Sequence, residues 1–300
     1  MTASVNGEPK LCFIGLGVMG FPMAGHLAAH YATTVYNRSS GKAQEWLSHY
    51  KGVAAPTIAD AVRDADLIFC CLGRDEDVEA VLTGREGVYA HAKQGAIICD
   101  HTTTSADLAR RMHALAVEAA CGFVDAPVSG GQKGAQDGAL TVMMGGSEPE
   151  CEILLPVIAR YSRQAKRLGD VGAGQLCKMV NQICIAGLVQ GLAEGIQFAK
   201  NAKLDVLGVI EVISQGAAQS WQMENRHRTM NQGEYDFGFA VQWMRKDLGY
   251  ALEEARKNSS HLPVTALVDQ FYAEVESMGG ARWDTSSLLA RLEKPSTTRN

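Results

Sequence analysis

Residues 11–20 restrict the fold more than any other stretch of the chain. Leu11-Cys12-Phe13-Ile14 is a short apolar run of the kind that forms a strand buried on both faces. It passes without a spacer into Gly15-Leu16-Gly17-Val18-Met19-Gly20, and then into a segment with Met23, Leu27 and Ala28 at helical spacing. Strand, G-x-G-x-x-G and helix in that order form a dinucleotide fingerprint. Gly15 permits the tight turn, Gly17 lets the backbone approach a pyrophosphate, and Gly20 lets the helix pack on the strand. Leu16, Val18 and Met19 lie between them at a helix N-terminus, where N–H groups and the helix dipole favour anions. All six residues are cofactor-binding candidates, and the first half should be a doubly wound α/β sheet.

The next strand, Thr33-Thr34-Val35-Tyr36, ends in Asn37-Arg38-Ser39, with Lys42 shortly after. Chains that bind NAD usually carry Asp or Glu here to hold the ribose 2′-hydroxyl. A carboxylate would repel a 2′-phosphate, whereas Arg38 can bind one bidentately. NADP(H) is therefore expected, with Asn37, Arg38, Ser39 and Lys42 on the ribose side and NAD(H) as the alternative. Arg38 as a solvated arginine, or stacked on the adenine, is the competing reading. Two more buried strands follow, Asp66 to Leu72 and Ala96 to Asp100. The loops at their ends, after Leu72 and through Thr102-Thr103-Thr104, belong at the ligand edge of such a sheet. The threonines offer hydroxyls to a ribose or nicotinamide amide; helix capping before Ser105 is the competing use. Phe123 to Val128 then leads into Ser129-Gly130-Gly131, whose backbone N–H groups suit a carboxylate.

The remainder reads as helix. From Gln175 to Asn201 apolar residues fall on most faces, as in a buried central helix. Lys178 and Gln182 are i, i+4 neighbours on it, with Asn181 beside them. Three polar groups on one stripe of a buried helix need a partner or a ligand, although a first-turn lysine can also snorkel to water. Val206 to Ala217, Gly238 to Lys257 and Thr265 to Met278 read as amphipathic helices.

Composition narrows the function. Three hundred residues can form two cores. The net charge of −5 has no basic block behind it, so neither nucleic acid nor an anionic membrane is an expected partner. No apolar run approaches membrane-spanning length, and the start has no secretory or transit pattern. Eight cysteines without a C-x-x-C pair suit buried thiols in a reducing compartment, so a cytoplasmic protein is expected. His26 and His30 have zinc-ligand spacing but lack the glutamate of H-E-x-x-H, and no metal is expected.

Four blocks together resemble the β-hydroxyacid dehydrogenase family, which includes 3-hydroxyisobutyrate dehydrogenase, tartronate semialdehyde reductase and the glyoxylate/succinic semialdehyde reductases. They are F-I-G-L-G-V-M-G-F-P-M-A from Phe13, D-A-P-V-S-G-G from Asp125, G-A-G-Q-L-C-K-M-V-N-Q from Gly172, and K-D-L from Lys246. The resemblance implies an α/β Rossmann-type N-terminal domain (9–171) followed by an all-α C-terminal domain (172–294), with an active site in the cleft between them; the tail (295–300), with Pro295-Ser296-Thr297-Thr298, is expected to fray. It assigns Lys178 as the catalytic lysine and places Ser129, Gly130 and Gly131 on the substrate. It puts Thr103 and Lys246 near the nicotinamide, with Phe239 and Asp247 at the substrate by a weaker correspondence. Many members have Asn four residues after the lysine. Here Asn181 is third and Gln182 fourth, as in tartronate semialdehyde reductase, which shifts the substrate hydrogen bond by one methylene.

The expected activity is hydride transfer between NADP(H) and a short 3-hydroxy acid or its semialdehyde, a small carboxylate. Lys178 would be the general acid/base. A lysine pKa of about 10.4 is too high for that at neutral pH, so the role requires burial. An imine reductase on the same scaffold and a catalytically inactive dehydrogenase-like binding module are the rivals, and Lys178 argues against both. Helices this apolar suggest subunit contacts, hence a homodimer or homotetramer.

Overall fold

Successive side chains of a strand point to opposite faces, and buried strands must fill both. A computed structural model describes residues 8–293, so the tail at 295–300 lies outside the described residues. Its strands are β1 (Leu11–Ile14), β2 (Thr33–Tyr36), β3 (Val53–Ala54), β4 (Leu67–Cys70), β5 (Ile97–Asp100), β6 (Gly122–Asp125), β7 (Val128–Ser129), β8 (Leu140–Gly145) and β9 (Ser162–Gly169). They form one sheet in the order β3-β2-β1-β4-β5-β6-β8-β7, with β9 beside β8. Neighbours from β3 to β6 run parallel. Strand β8 is antiparallel to β6 and β7 and parallel to β9.

Leu11 and Phe13 of β1 enter one core with Leu67 and Phe69 of β4, beneath the helices α1 (Gly20–Ala28) and α2 (Ser40–His49). Cys12, Ile14, Ile68 and Cys70 enter the other. That second core is covered by α3 (Ile58–Val62), α4 (Asp75–Thr83), α5 (Val88–His91) and α6 (Ala106–Glu118). Two further helices, α7 (Gly131–Gln136) and α8 (Glu148–Ile158), lie in the antiparallel half of the chain. The order 3-2-1-4-5-6 reverses between β1 and β4, and ligands of such sheets bind at the strand ends there.

Packing divides the chain into two units, one ending at Lys178 and the other starting at Met179. The second consists of helices: α9 (Ala173–Asn201), whose start belongs to the first unit, α10 (Val206–Ile213), α11 (Trp221–Gln232), α12 (Val241–Asn258), α13 (Pro263–Ser277) and α14 (Leu288–Leu292). Val189, Leu192, Ala193 and Ile196 of α9 line its core with Met244, Leu248, Val268 and Tyr272. The α/β-then-α fold class matches the expectation. One statement needs correction: α9, at 29 residues, is long and apolar enough to cross a membrane by length and composition. Its buried apolar stripe explains that composition as a core helix of this unit. Helix α11 and strand β9 were not anticipated. In α11 the mean hydropathy is low and only Met223 and Met230 are buried. Strand β9 carries Arg163, Lys166 and Arg167, charges that suit a strand near a sheet edge.

Strands β5 and β6 end in two aspartates in register, Asp100 beside Asp125. Burial pushes the Asp100 carboxyl up to about 7, against hydrogen bonds from Thr102 that favour its ionised form. The folded protein thus holds this proton more tightly than the unfolded chain, whose ordinary value is 3.8. Stability should therefore fall as pH rises from about 4 to about 7. Asp100→Asn keeps the shape and cannot ionise. Its melting temperature should gain on wild type between pH 5 and pH 8; a constant offset over that range would show that Asp100 does not titrate there.

Candidate active site

The glycine loop shows why each glycine is needed. Gly15 adopts φ +99°, and a Cβ on it would lie 2.3 Å from the Cys71 carbonyl oxygen. The turns after β1 and β4 therefore touch. A Cβ on Gly20 would lie 2.0 Å from the Gly15 oxygen and 2.9 Å from the Phe13 ring, so α1 starts directly on the turn. Gly17 is exposed and a Cβ there would meet nothing within 4 Å. The bare backbone at Gly17, next to the start of α1, is a cradle that fits a dinucleotide pyrophosphate. Val18 is exposed and Met19 half-buried beside it.

Asn37 holds this loop from the side. Its Oδ1 accepts from the Leu16 N–H at 2.9 Å, and its Nδ2 donates to the Ser39 carbonyl at 3.1 Å. Both ends of the amide are thus engaged in tying the glycine turn to the end of β2. Arg38 and Ser39 are exposed at the same end, and Lys42 pairs with Glu45 at 3.0 Å on the surface of α2.

The threonine loop after β5 is clamped from three directions. The Thr102 hydroxyl accepts from the Leu72 N–H at 2.9 Å and hydrogen-bonds the Asp100 carboxylate, which also accepts from the Thr102 N–H. Asp75, at the start of α4, accepts from the Ser105 N–H at 3.0 Å and its hydroxyl at 2.6 Å. Gln175, from the first turn of α9, donates to the Thr102 carbonyl at 2.8 Å and accepts from the Thr104 N–H at 3.0 Å. Helix capping falls to Ser105, whose hydroxyl accepts from the Leu108 N–H. Thr102 and Thr104 are buried; Thr103, between them, is half-buried. His101 is buried, with Nδ1 against the Ala126 carbonyl at 2.6 Å and Nε2 against the Tyr161 hydroxyl at 2.8 Å. Burial pushes its pKa down to about 4, so it is a neutral core residue.

The start of α9 rests on Asp125. One carboxylate oxygen accepts from the Gly172 N–H at 2.7 Å and the other from the Gln175 N–H at 2.8 Å, with Gly174 contributing a further backbone donor. Burial nevertheless raises the carboxyl to about 6: desolvation outweighs these hydrogen bonds. Gly172 has φ +96°, and a Cβ on Gly174 would lie 2.5 Å from the Met143 oxygen. Lys178 lies one turn further on and is only 7% exposed. Ser129 ends β7, paired with Thr141, and Gly130 (φ +134°) and Gly131 (φ +62°) turn the chain into α7. His26 Nε2 lies 3.0 Å from the Ala135 carbonyl and 3.1 Å from that of Gln136, bracing α7 against α1.

In the helical unit, Asn181 Nδ2 donates to Gln182 Oε1 at 2.7 Å, and Gln182 Nε2 donates to Asp247 Oδ2 at 2.7 Å. Gln182 and Asp247 are both buried. Lys246 Nζ lies 3.4 Å from Asp247 Oδ1 and 5.5 Å from the ring centroids of Trp243 and Tyr250. The structure therefore joins Asn181, Gln182, Lys246 and Asp247 into one polar chain. Phe239 lies just before α12 and outside that chain. Its N–H donates to Asp284 Oδ2 at 3.0 Å, and Asp284 is itself buried against Arg226.

Four residues in these networks escaped sequence reasoning as individuals: Asp75, Asp100, Asp125 and Gln175. Asp125 and Gln175 stood inside quoted motifs. For Asp100, Asp125 and Gln175 the usable signal was a polar residue at the end of a buried strand, or directly after a G-x-G, where burial demands a partner.

The glycine geometry separates two substitutions. Gly20→Ala should cost about 3 kcal/mol of stability, because the clash is with backbone and no rotamer relieves it. Gly17→Ala should keep the wild-type melting temperature and weaken dinucleotide binding, measured by titration of cofactor fluorescence.

Residues 10–172 match the family model described as the NAD-binding domain of 6-phosphogluconate dehydrogenase. Residues 172–292 match the one described as NAD-binding of NADP-dependent 3-hydroxyisobutyrate dehydrogenase. The chain is 63% identical over 286 residues to an uncharacterized oxidoreductase of Shewanella frigidimarina, covering 95% of this chain and 98% of that one. It is 32% identical over 288 residues to 2-hydroxy-3-oxopropionate reductase of Escherichia coli, covering 95% and 97%. Among solved structures it resembles the 3-hydroxyisobutyrate dehydrogenase of Mycobacterium tuberculosis with L-serine, at TM-score 0.87 and 27% identity, covering 96% of this chain and 100% of that one. With the G-x-G-x-x-G turn between β1 and α1, the chain belongs to the 3-hydroxyisobutyrate dehydrogenase family of NAD(P)-dependent hydroxyacid oxidoreductases.

Proposed function

We propose that this protein transfers a hydride between NADP(H) and a short 3-hydroxy acid or its semialdehyde, with Lys178 as general acid/base. The observation that carries this reading is Lys178 itself. It is a buried lysine one turn into a helix whose start is fixed at the C-terminal ends of the sheet strands.

The cofactor would lie with its pyrophosphate over Gly15, Leu16, Gly17, Val18, Met19 and Gly20. Its ribose phosphate would face Arg38 and Ser39, with Asn37 fixing the turn and Lys42 nearby. Its nicotinamide end would lie toward Leu72, Thr103 and Lys246. When bound, the dinucleotide supplies or accepts the hydride. The substrate carboxylate would sit on the Ser129-Gly130-Gly131 amides, where two positive-φ glycines turn the backbone at the end of β7. Lys178 Nζ would give its proton to the carbonyl oxygen as the carbonyl carbon is reduced, and take it back from the alcohol in the oxidation direction. In the helical unit, the proposed substrate-binding set is Asn181, Gln182, Asp247 and Phe239. There Asp247 holds the Gln182 amide nitrogen, which fixes the amide's orientation.

A homodimer or homotetramer is part of the proposal. Phe198 and Val212 in the helical unit are each 72% exposed, and Val264 and Leu267 are exposed too. A cytoplasmic location is supported by the cysteines, of which Cys12, Cys70, Cys99, Cys121 and Cys151 are buried free thiols.

The decisive assay is a panel of glyoxylate, succinic semialdehyde, tartronate semialdehyde, 3-hydroxyisobutyrate and serine, each with NADP(H) and NAD(H). Turnover should favour NADP(H). Arg38→Ala should cut that preference by about 10- to 100-fold, the worth of a charge-assisted hydrogen bond. Lys178→Ala should lower kcat by roughly 10²- to 10⁴-fold with cofactor affinity kept. Near-normal turnover of Lys178→Ala would sink the lysine assignment, and a strong NAD(H) preference in wild type would sink that of Arg38.

A further inference from the structure

We propose that Gln175 is a positioning residue whose carboxamide sets the threonine loop and the lysine helix in one register, so that Thr103 and Lys178 are aligned by a single side chain. The proposal rests on the roles given to Thr103 and Lys178 above.

Gln175 is fully buried. Its side chain reaches 71 to 73 residues back along the chain and bonds both residues flanking Thr103: Nε2 donates to the Thr102 carbonyl and Oε1 accepts from the Thr104 N–H. Its own N–H donates to Asp125. The loop cannot follow Thr102 elsewhere, because that residue's hydroxyl and N–H are held by Leu72 and Asp100. The helix cannot slide, because Gly174 is seated against the Met143 and Asp125 carbonyls. Gln175 and Lys178 are i, i+3 on α9 and share a face, about 4.5 Å apart along the axis. The job requires a donor and an acceptor on one planar end. Glutamine supplies both, glutamate supplies both only when protonated, and methionine supplies a similar volume with neither.

The test uses the full chain with Gln175→Met and Gln175→Glu. It compares binding of NADP⁺ with binding of 2′-phospho-ADP-ribose, the same ligand without nicotinamide. It adds thermal unfolding and the primary deuterium isotope effect on hydride transfer. Gln175→Met should bind the fragment as wild type does and bind NADP⁺ about 10-fold more weakly. Its kcat should fall about 100-fold, with a larger isotope effect, as expected when reacting groups are misplaced by about an ångström. Gln175→Glu, which keeps the acceptor for the Thr104 N–H, should fall between Gln175→Met and wild type, and it carries the test alone if Gln175→Met does not fold. Equal weakening of fragment and full cofactor would mean that Gln175 only supports the fold. No change in either would mean that it only fills space. Either result overturns the proposal. Lys178→Met, run alongside, should lose turnover and keep both affinities. Normal turnover there would remove the lysine reading, while the difference between fragment and full cofactor would still judge Gln175. If wild type prefers NAD(H), NAD⁺ and ADP-ribose replace the phosphorylated pair.

Discussion

The arrangement of the first unit depends on one buried carboxylate. Asp125 ends β6, and its two oxygens collect N–H groups at the start of α9 that would otherwise be unsatisfied. Removing a carboxylate from water costs several kcal/mol, and the raised pKa shows that this cost is only partly recovered. What the interaction secures is location. It ties the end of a central strand to the start of the helix that bears Lys178. Gly145 and Gly174 make the approach close enough, since a Cβ on Gly145 would lie 2.6 Å from the Asp125 carboxylate.

The loops along the sheet edge are tied to one another by the same kind of bond. Asn37 holds the glycine turn, Thr102 holds the turn after β4, Asp75 holds Ser105, and Gln175 holds the threonines. Each uses a side chain to satisfy backbone groups where the ladder has ended. The candidate site is therefore framed by polar groups whose hydrogen bonds are made within the loops. Residues assigned to ligands in such a frame divide into two kinds. Thr102 and Asn37 are engaged by the protein itself, whereas Gly17 presents open backbone.

Much of this fold was legible in the sequence because its signals are local. Four-residue apolar runs, a glycine fingerprint and 3.6-residue periodicity all lie within short windows. The fold class, the strand ends and the central helix follow from them. Strand β9 and helix α11 did not, because each is polar over most of its length and is specified by its neighbours rather than by its own pattern. The site divides along the same line. Gly15, Gly17 and Gly20 were readable, with a separate reason for each. Gln175 was not, because its meaning lies in Thr102 and Thr104, more than seventy residues upstream. Asn181 and Gln182 were visible as polar groups on a buried helix. That Asp247 orients Gln182 required the pairing of α9 with α12.

The Asp125 cap also differs in kind from the other helix caps of the chain. A helix cap is ordinarily a local device: Ser105 caps α6 from the adjacent position, and Asp205 does the same for α10. The cap of α9 comes from 47 and 50 residues away, from the last residue of β6 in the sheet. Closing a loop of that length costs chain entropy that a cap from the adjacent residue does not. The first turn of α9 is thus capped by tertiary structure, and its helical start is as stable as the sheet edge that supplies the carboxylate.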